Sequence, residues 1–304
     1  MKYDEVLTAK PGEIIPLVRE IDIDSPVDYF ASLSDYGRSE NCCLFESKDH
    51  LDKEGHGGEG ELTFGTADPA LYLCGKGDSF SIKALSDTGK RMLSFLAQDK
   101  TRFDFCRKVN FSDRVITGTL DTSDGILDEQ SRLKSTNQMD VLRSVAFAFK
   151  LASKPFRVTC GLLGALSYDF IDQFEKLPAN ESDILENPDY ELYFADNIFL
   201  MDHSSGRGYI IVNVMIIDGD RQDIIDHAKR TFNSYFHAAA KDVPKPGKCE
   251  EELPPSSTDT DQSEFENMVE TAKQHIIDGD IFQVVLSRTI TEPCSDEPLD
   301  VYKR

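Results

Sequence analysis

The sequence has 304 residues, of which 39% are hydrophobic and 29% charged, a composition typical of a globular protein with one large or two medium domains. Fifty-five acidic residues against 33 basic ones give a formal net charge of -22, which argues against nucleic acid and anionic membranes as partners. The seven cysteines have no C-x-x-C spacing and the six histidines form no zinc motif, so we expect reduced thiols and no metal site within this chain. No signal peptide and no apolar run near the ~20 residues of a membrane span are present, which predicts a soluble, cytoplasmic protein.

The first hundred residues alternate short apolar segments with turns, as antiparallel sheets do. A buried strand is predicted at residues 41–47, and residues 49–60 form a glycine-rich loop without the Gly-Lys-Ser/Thr of a phosphate-binding loop. A helix is predicted over residues 86–97, capped by Ser86 or Asp87. Three more strands are predicted between these elements, at residues 62–64, 71–74 and 80–84.

The middle of the chain contains a polar stretch and two strongly apolar segments. Residues 111–135 are predicted to be loop-like, and residues 137–151 have the periodicity of a helix. Residues 156–170 predict a long apolar strand with Gly161 and Gly164 inside it. Glycine within a strand indicates a bulge or a close backbone neighbour.

The next segments predict a hairpin, a helix and a linker. Residues 189–202 and 208–217 would form the two strands of a hairpin. Residues 220–241 have one apolar face and predict a long amphipathic helix. Residues 242–262 contain four prolines and many acidic and hydroxyl side chains, which is typical of a linker.

The last forty or so residues predict few elements. A helix would begin at Ser263, with Glu266 completing a capping box, and end near Gly279. A strand is predicted at residues 281–290, and the final residues resemble the start of another helix. Because one helix and one strand cannot bury a core, we interpret residues 263–304 as the incomplete start of a second domain.

Several motifs resemble those of one family. Residues 277–288, IDGDIFQVVLSR, resemble the opening motif of a chorismate-binding domain, most closely that of the anthranilate synthase large subunit, component I. Other segments agree in order with that subunit: residues 44–47, 161–169, 174–178, 188–190 and 202–203. The resemblance is weakest in residues 1–38 and 98–135. Phe45 and Leu162 replace a leucine and a glycine of the family motifs without removing a polar group.

The resemblance implies an α+β fold, mostly antiparallel sheet with flanking helices. It implies a tryptophan-sensing regulatory domain over residues 1–241, a linker over 242–262 and the start of a catalytic domain over 263–304. The implied enzyme is a carbon–oxygen lyase that converts chorismate and ammonia to anthranilate and pyruvate, the first step of tryptophan biosynthesis. Its implied partners are Mg2+, a glutamine amidotransferase subunit that supplies ammonia, and tryptophan as the allosteric feedback inhibitor. The family's catalytic and magnesium-binding residues match no position up to residue 304, so we expect this chain by itself to be inactive.

By the same resemblance, Phe45, Glu46 and Ser47 would contact tryptophan, with Lys53 as a further lining residue. A carboxylate such as Glu46 suits the ammonium group of a free amino acid, and an apolar wall suits the indole. The alternative is that Glu46 and Ser47 only end an edge strand. In the family an N-P-S-P-Y-M segment completes the pocket, and its position would follow residue 304.

By the resemblance, the residue at position 283 would indicate which nucleophile the enzyme adds to chorismate; here it is Gln283. Relatives that add water to chorismate typically have a lysine here, because a lysine of lowered pKa can act as a general base. Ammonia needs no such base, so Gln283 fits an ammonia-using enzyme, unless it is only a polar residue on a strand. Two other functions stay open: the large subunit of aminodeoxychorismate synthase, which often lacks the glutamate at position 46, and a non-catalytic amino-acid-binding module.

Overall fold

A computed structural model describes residues 3–47, 62–122, 135–175, 185–219, 221–239 and 255–304. The chain divides into two compact units, Met1–Val243 and Pro244–Arg304. None of the helices in the described residues has the length and apolar character needed to cross a membrane.

Two antiparallel sheets dominate the described residues of the first unit. The strands are β1 (Glu13–Ile21), β2 (Cys43–Glu46), β3 (Leu62–Thr66), β4 (Leu71–Lys76), β5 (Ser79–Ala84), β6 (Cys106–Phe111), β7 (Val115–Leu120), β8 (Lys150–Leu151), β9 (Gly161–Leu166), β10 (Tyr190–Ala195), β11 (Asn197–Asp202) and β12 (Arg207–Met215). One six-stranded sheet, the first sheet, has the order β2-β3-β11-β12-β1-β8, and the other, the second sheet, has the order β6-β7-β5-β4-β10-β9. Within them, the short β1–β8 pair runs parallel, and the other pairs run antiparallel.

Helices flank both sheets. They are α1 (Tyr3–Thr8), α2 (Pro26–Leu33), α3 (Asp87–Gln98), α4 (Gln138–Ala146) and α5 (Arg221–Ala238). The apolar faces of α3 and α4 pack with strands of the second sheet into one buried cluster that includes Leu71, Ile82, Met92, Leu93 and Val141. The first sheet is covered by α2, whose Tyr29 meets the ring of Phe199 edge-on at 5.1 Å. The α+β class and the mostly antiparallel sheets with flanking helices are therefore confirmed.

The chain passes from one sheet to the other at Asp196. The predicted strand at residues 189–202 is in fact two strands, because β10 pairs with β4 and β9 while β11 pairs with β12 and β3. The predicted hairpin is confirmed for β11 and β12 and is wrong for residues 190–195. Both segments are apolar on either side of Asp196, so the sequence pattern carries no mark of the change of sheet.

Most predicted elements of the first unit are confirmed. The three strands after the loop appear as β3, β4 and β5, and Ser86 caps α3 by accepting from the Gly89 N–H. The predicted loop at 111–135 is wrong for β7, which inserts between β5 and β6, and its residues 123–134 lie outside the described part. The predicted glycine-rich loop at 49–60 also lies outside the described part.

Two predicted elements of the first unit are shorter than expected. The helix predicted over 137–151 ends at Ala146, because residues 150–151 leave it to pair with β1. The strand predicted over 156–170 is confined to Gly161–Leu166, and a 3-10 helix follows at Tyr168–Gln173. The predicted close backbone neighbour is confirmed at Gly164, where an added Cβ would lie 2.1 Å from the carbonyl oxygen of Glu191.

The second unit contains a long helix and little sheet. Its elements are β13 (Ser257–Thr258), α6 (Gln262–Asp278), β14 (Ile290–Thr291) and α7 (Pro298–Tyr302). The capping box of α6 is Asp261 with Glu264, so the predicted box at Ser263 and Glu266 is wrong by two positions. α6 ends at Gly279, as predicted, and Gly279 has the left-handed conformation.

The predicted strand at residues 281–290 is wrong. Only Ile290 and Thr291 pair, with Thr258 and Ser257 in the short β13–β14 ladder. A strand needs a neighbouring strand for its backbone N–H and C=O groups, and no strand of the described residues pairs with residues 281–289. Thr289 is bonded instead to Asp259, whose carboxylate accepts from the Thr289 N–H and whose own N–H donates to the Thr289 carbonyl oxygen. The β-branched composition of the segment is therefore not enough to make it a strand here.

A buried polar network joins the first sheet to α5. The Asp68 carboxylate accepts from the Tyr235 hydroxyl and, at 3.3 Å, from the Asn197 amide. Burial raises the pKa of this carboxyl from 3.8 to about 6, although both hydrogen bonds act to lower it. The Tyr29 hydroxyl donates to the Tyr235 carbonyl oxygen, 2.7 Å away, so α2 belongs to the same network.

The Asp68 network predicts a loss of stability as the pH rises. A carboxyl whose folded-state pKa exceeds its unfolded-state pKa binds its proton more tightly when folded, so its contribution is present below pH 3.8 and lost as the pH passes through about 6. The free energy of unfolding, measured by urea titration between about pH 4 and pH 7, should therefore fall less in Asp68→Asn than in wild type. Asp202→Asn is the control, because hydrogen bonds from Ser204 and Ser205 lower the pKa of Asp202, so this carboxylate stays ionised over the same range and the variant should keep nearly the wild-type slope. Equal slopes in Asp68→Asn and wild type would contradict this account of Asp68.

Candidate functional site

The outer strand of the first sheet, β2, carries the residues predicted to bind an amino acid. Its register places Phe45 opposite Phe64 and Glu46 opposite Thr63. The Phe45 and Phe64 rings stack with centroids 5.3 Å apart. Phe64 in turn packs on the buried cluster that contains Ile198 and Leu200. Phe45 therefore extends the apolar face of the sheet out to its edge.

Glu46 lies on the opposite face of β2, because successive side chains of a strand alternate between faces. There it belongs to a polar group that we call the β2–β3 triad, formed by Glu46, Thr63 and His203. The Thr63 hydroxyl lies 3.5 Å from Glu46 Oε1 and 2.8 Å from His203 Nε2. Thr63 is 1% exposed, whereas Glu46 is exposed, so the triad joins a buried hydroxyl to a carboxylate at the surface.

The chemistry of the β2–β3 triad sets the direction of its hydrogen bonds. An ionised carboxylate only accepts, so Thr63 donates to Glu46 and its oxygen is free to accept from His203. That arrangement requires a proton on His203 Nε2. The turn after β11 holds His203 in place, because the Asp202 carboxylate accepts from the backbone N–H groups of Ser204 and Ser205. The arrangement presents an oriented carboxylate at the sheet edge, which suits an ammonium group.

The remaining predicted site residues are placed as follows. The Ser47 backbone N–H donates to the Leu62 carbonyl oxygen at 3.0 Å, and the Ser47 side chain is exposed just past the end of β2. Lys53 lies outside the described residues. Phe45 and Glu46 thus sit on opposite faces of one strand, and a ligand touching both would have to wrap around the outer edge of β2, the end strand of this sheet among the described residues.

Gln283 lies in the second unit, in the segment after α6. Its side chain is exposed. A neighbouring groove of about 500 Å³ is lined by α6 together with Ile281, Val284 and Leu286, and Gln283 does not contribute to it.

Thr63 and His203 are functional candidates that the sequence reasoning did not assign to the site. The sequence indicates Asp202-His203 only as part of a family motif. The hydrogen bond between His203 and Thr63 joins residues that are 140 positions apart. Such a contact leaves no local periodicity by which it could be found. The one available signal was that the D-H pair of the family motif stands at the end of a predicted hairpin strand.

The described residues form no group of three His, Cys, Asp or Glu side chains that could hold a metal ion.

Comparison with known proteins defines the class. The family model described as chorismate binding enzyme matches residues 95–304, more than half of the sequence, and the chain belongs to this family. Anthranilate synthase component 1 of Vibrio parahaemolyticus is 27% identical over 236 residues, which cover 78% of this chain and 42% of that protein. Anthranilate synthase of Azospirillum brasilense is 26% identical over 244 residues, covering 79% of this chain and 30% of that protein. The resemblance to anthranilate synthase component I is confirmed.

A solved structure, anthranilate synthase component I from Streptococcus pneumoniae TIGR4, superposes with a TM-score of 0.47 at 15% identity. The superposition covers 84% of this chain and 47% of that chain. The chain thus spans less than half the length of the relatives that it matches.

Proposed function

We propose that this chain is part of the large subunit of an anthranilate synthase, which converts chorismate and ammonia to anthranilate and pyruvate. Membership of the chorismate-binding family supports chorismate as the substrate. The observation that favours anthranilate as the product is the alignment of relatives named anthranilate synthase over more than three quarters of the chain. The enzyme would be a cytoplasmic carbon–oxygen lyase of tryptophan biosynthesis.

The residue at position 283 supports ammonia as the nucleophile. Glutamine cannot serve as the base that a water nucleophile would need, whereas ammonia attacks without one. We propose that a glutamine amidotransferase subunit supplies the ammonia. Mg2+ is part of the proposal by resemblance alone.

Feedback inhibition by tryptophan is the second part of the proposal. Glu46, oriented through Thr63, would hold the ammonium group of the amino acid, and Phe45 would contact the indole across the strand edge. Ser47 is a candidate donor to the amino acid's carboxylate, and Lys53 remains a predicted lining residue.

Product analysis tests the proposed reaction. The protein that contains this chain, extended to the length of its relatives, should form anthranilate when supplied with chorismate, an ammonium salt and Mg2+. Chromatography separates anthranilate from p-aminobenzoate. A p-aminobenzoate product would instead identify aminodeoxychorismate synthase, and hydroxylated products would reject ammonia as the nucleophile.

The chain as given is expected to form no anthranilate under the same conditions. Residues 281–289, which the resemblance assigns to a strand of the chorismate-binding domain, pair with no strand among the described residues. Gln283 is consequently exposed on a segment outside any sheet. A turnover assay with concentrated chain, run beside the same mixture without protein, measures this directly. Anthranilate above the protein-free background would contradict the prediction.

A further inference from the structure

One end of the second sheet is an edge strand with a single neighbour. β9 pairs with β10, and no other strand among the described residues pairs with it. Its six residues, Gly161–Leu166, carry no charge. Gly164, Ala165 and Leu166 are exposed, and Leu166 has 50% of its surface in solvent. An uncharged edge of this kind is a template for the addition of another strand.

The other ends of the two six-stranded sheets carry features that discourage such addition. β6, at the opposite end of the second sheet, has the exposed charges Arg107 and Lys108. The end strands of the first sheet, β2 and β8, have four and two residues. Charged side chains and short strands both weaken the pairing of an added strand. Among the described strands, β9 therefore has the edge best suited to pairing.

The backbone of β9 alternates between β10 and the open edge. The Ser167 N–H, just past the strand, donates to the Asp189 carbonyl oxygen at 2.8 Å. Residues of β9 at odd positions therefore face β10, since successive backbone groups of a strand point to opposite sides. The N–H and C=O groups of Leu162, Gly164 and Leu166 point away from β10, and no strand in the described part of the chain bonds to them.

The two flanks of β9 carry opposite charges. Lys154 and Arg157 precede the strand, Asp169 and Asp172 follow it, and all four side chains are exposed. Arg157 and Asp169 each lie six positions from Leu163, and Lys154 and Asp172 each lie nine positions from it. The charges are therefore placed symmetrically about Leu163 with opposite sign.

We propose that β9 pairs with β9 of a second copy of this chain, antiparallel about a two-fold axis at Leu163. In this register Leu162 of each copy lies opposite Gly164 of the other, so the outward-facing backbone groups exchange hydrogen bonds. A two-fold axis reverses the strand direction, so the basic flank of each copy meets the acidic flank of the other. The pairing joins the second sheets of the two copies into one sheet and does not rest on the proposed reaction.

The charged flanks identify the occupant of the edge. Any extended segment can bond to an open strand edge, so main-chain hydrogen bonds alone carry no specificity. An antiparallel partner needs acidic residues after its strand, to meet Lys154 and Arg157, and basic residues before it, to meet Asp169 and Asp172. β9 itself has both. One strand pair with these flanks is smaller than a standard interface, so we expect a weak dimer with a Kd on the order of 10 μM or higher.

Reversing one charge in each of two variants tests the pairing. In sedimentation velocity the wild-type chain should pass from monomer to dimer as its concentration rises. Arg157→Glu and Asp169→Arg should each weaken this dimer by roughly tenfold, because each homodimer would oppose like charges at both ends. An equimolar mixture of the two variants should recover most of the loss. In the mixed dimer the two reversed charges face each other, and so do the two native ones.

A charge placed on the strand itself tests the pairing apart from the flanks. Ala165→Lys adds an exposed lysine to β9, and the matched control Asn110→Lys adds one to β6 at the other end of the same sheet. Because an edge lysine discourages strand addition, Ala165→Lys should weaken the dimer and Asn110→Lys should not. Circular dichroism and the Tm of each variant check that it is folded.

A wild-type chain that stays monomeric up to its solubility limit would overturn the proposal. Association that is equally strong in wild type and in Ala165→Lys would also overturn it, because another surface would then hold the copies together. If Arg157→Glu and Asp169→Arg each lose the dimer and their mixture does not restore it, the antiparallel two-fold arrangement is rejected.

Discussion

Replacing Glu46 with glutamine is expected to weaken the binding of tryptophan to this chain by roughly tenfold or more. A hydrogen bond between charged groups contributes about 1.5–3 kcal/mol, and the glutamine side chain keeps the size of Glu46 while removing its charge. The Thr63 hydroxyl would still bond to the side chain at position 46, so the strand edge should keep its geometry. The loss therefore reports on the charge of Glu46 and not on the packing of β2.

The sequence makes this measurement simple, because the chain contains no tryptophan. Excitation that selects indole over tyrosine reports the ligand alone, and the anisotropy of its emission rises when it binds. Glu20→Gln is the matched control, since Glu20 is an exposed carboxylate on β1 of the same sheet that pairs with Arg207. Equal affinities of Glu46→Gln and wild type would remove Glu46 from the proposed site.

Thr63→Val separates the positioning of Glu46 from its charge. Valine matches threonine in shape but cannot donate to Glu46 or accept from His203. We expect a severalfold weaker affinity for tryptophan, between those of wild type and Glu46→Gln. Unchanged affinity in a folded Thr63→Val protein would show that the β2–β3 triad has no part in binding.

Local chemistry explains which elements the sequence could predict. The cap at Ser86 and the stop at Gly279 depend on neighbours within four positions, and both were predicted. The strands β3, β4 and β5 carry their alternation and turns in the sequence itself. The capping box of α6 was misplaced because Asp261 and Ser263 are both good caps, and only the structure shows which one bonds to the backbone.

The errors concern partners that are distant along the chain. β7 is rich in β-branched residues. It was missed because it lies between polar residues 112–114 and the polar stretch from residue 121 onward, yet β5 and β6 supply pairing on both of its sides. The strand predicted at residues 281–289 is wrong for the opposite reason, because the segment has the composition of a strand but no strand among the described residues pairs with it. The candidate site divides in the same way into residues that the sequence identifies and residues that only the structure identifies. Motif resemblance identified Glu46 and Ser47, whereas Thr63 and His203 could be identified only from the register of the sheet.

Gly164→Ala is expected to destabilise the first unit by about 3 kcal/mol. Gly164 lies on β9 opposite Leu192 with a φ of 153°, and an added Cβ would come 2.1 Å from the Glu191 carbonyl oxygen and 2.9 Å from Leu192 Cα. Both of these neighbours are backbone atoms of β10, so no side chain can rotate away to make room. β9 would have to separate from β10, exposing the paired backbone of the second sheet.

Gly161→Ala is the matched variant that separates crowding from backbone strain. Gly161 lies on the same strand with a φ of 145°, but an added Cβ there would meet nothing within 4 Å. Its cost should be the backbone strain alone, about 1 kcal/mol. Urea unfolding followed by circular dichroism measures both free energies. A large difference between the variants would attribute the requirement for glycine at position 164 to the contact with β10, whereas equal losses would mean that positive φ alone imposes it.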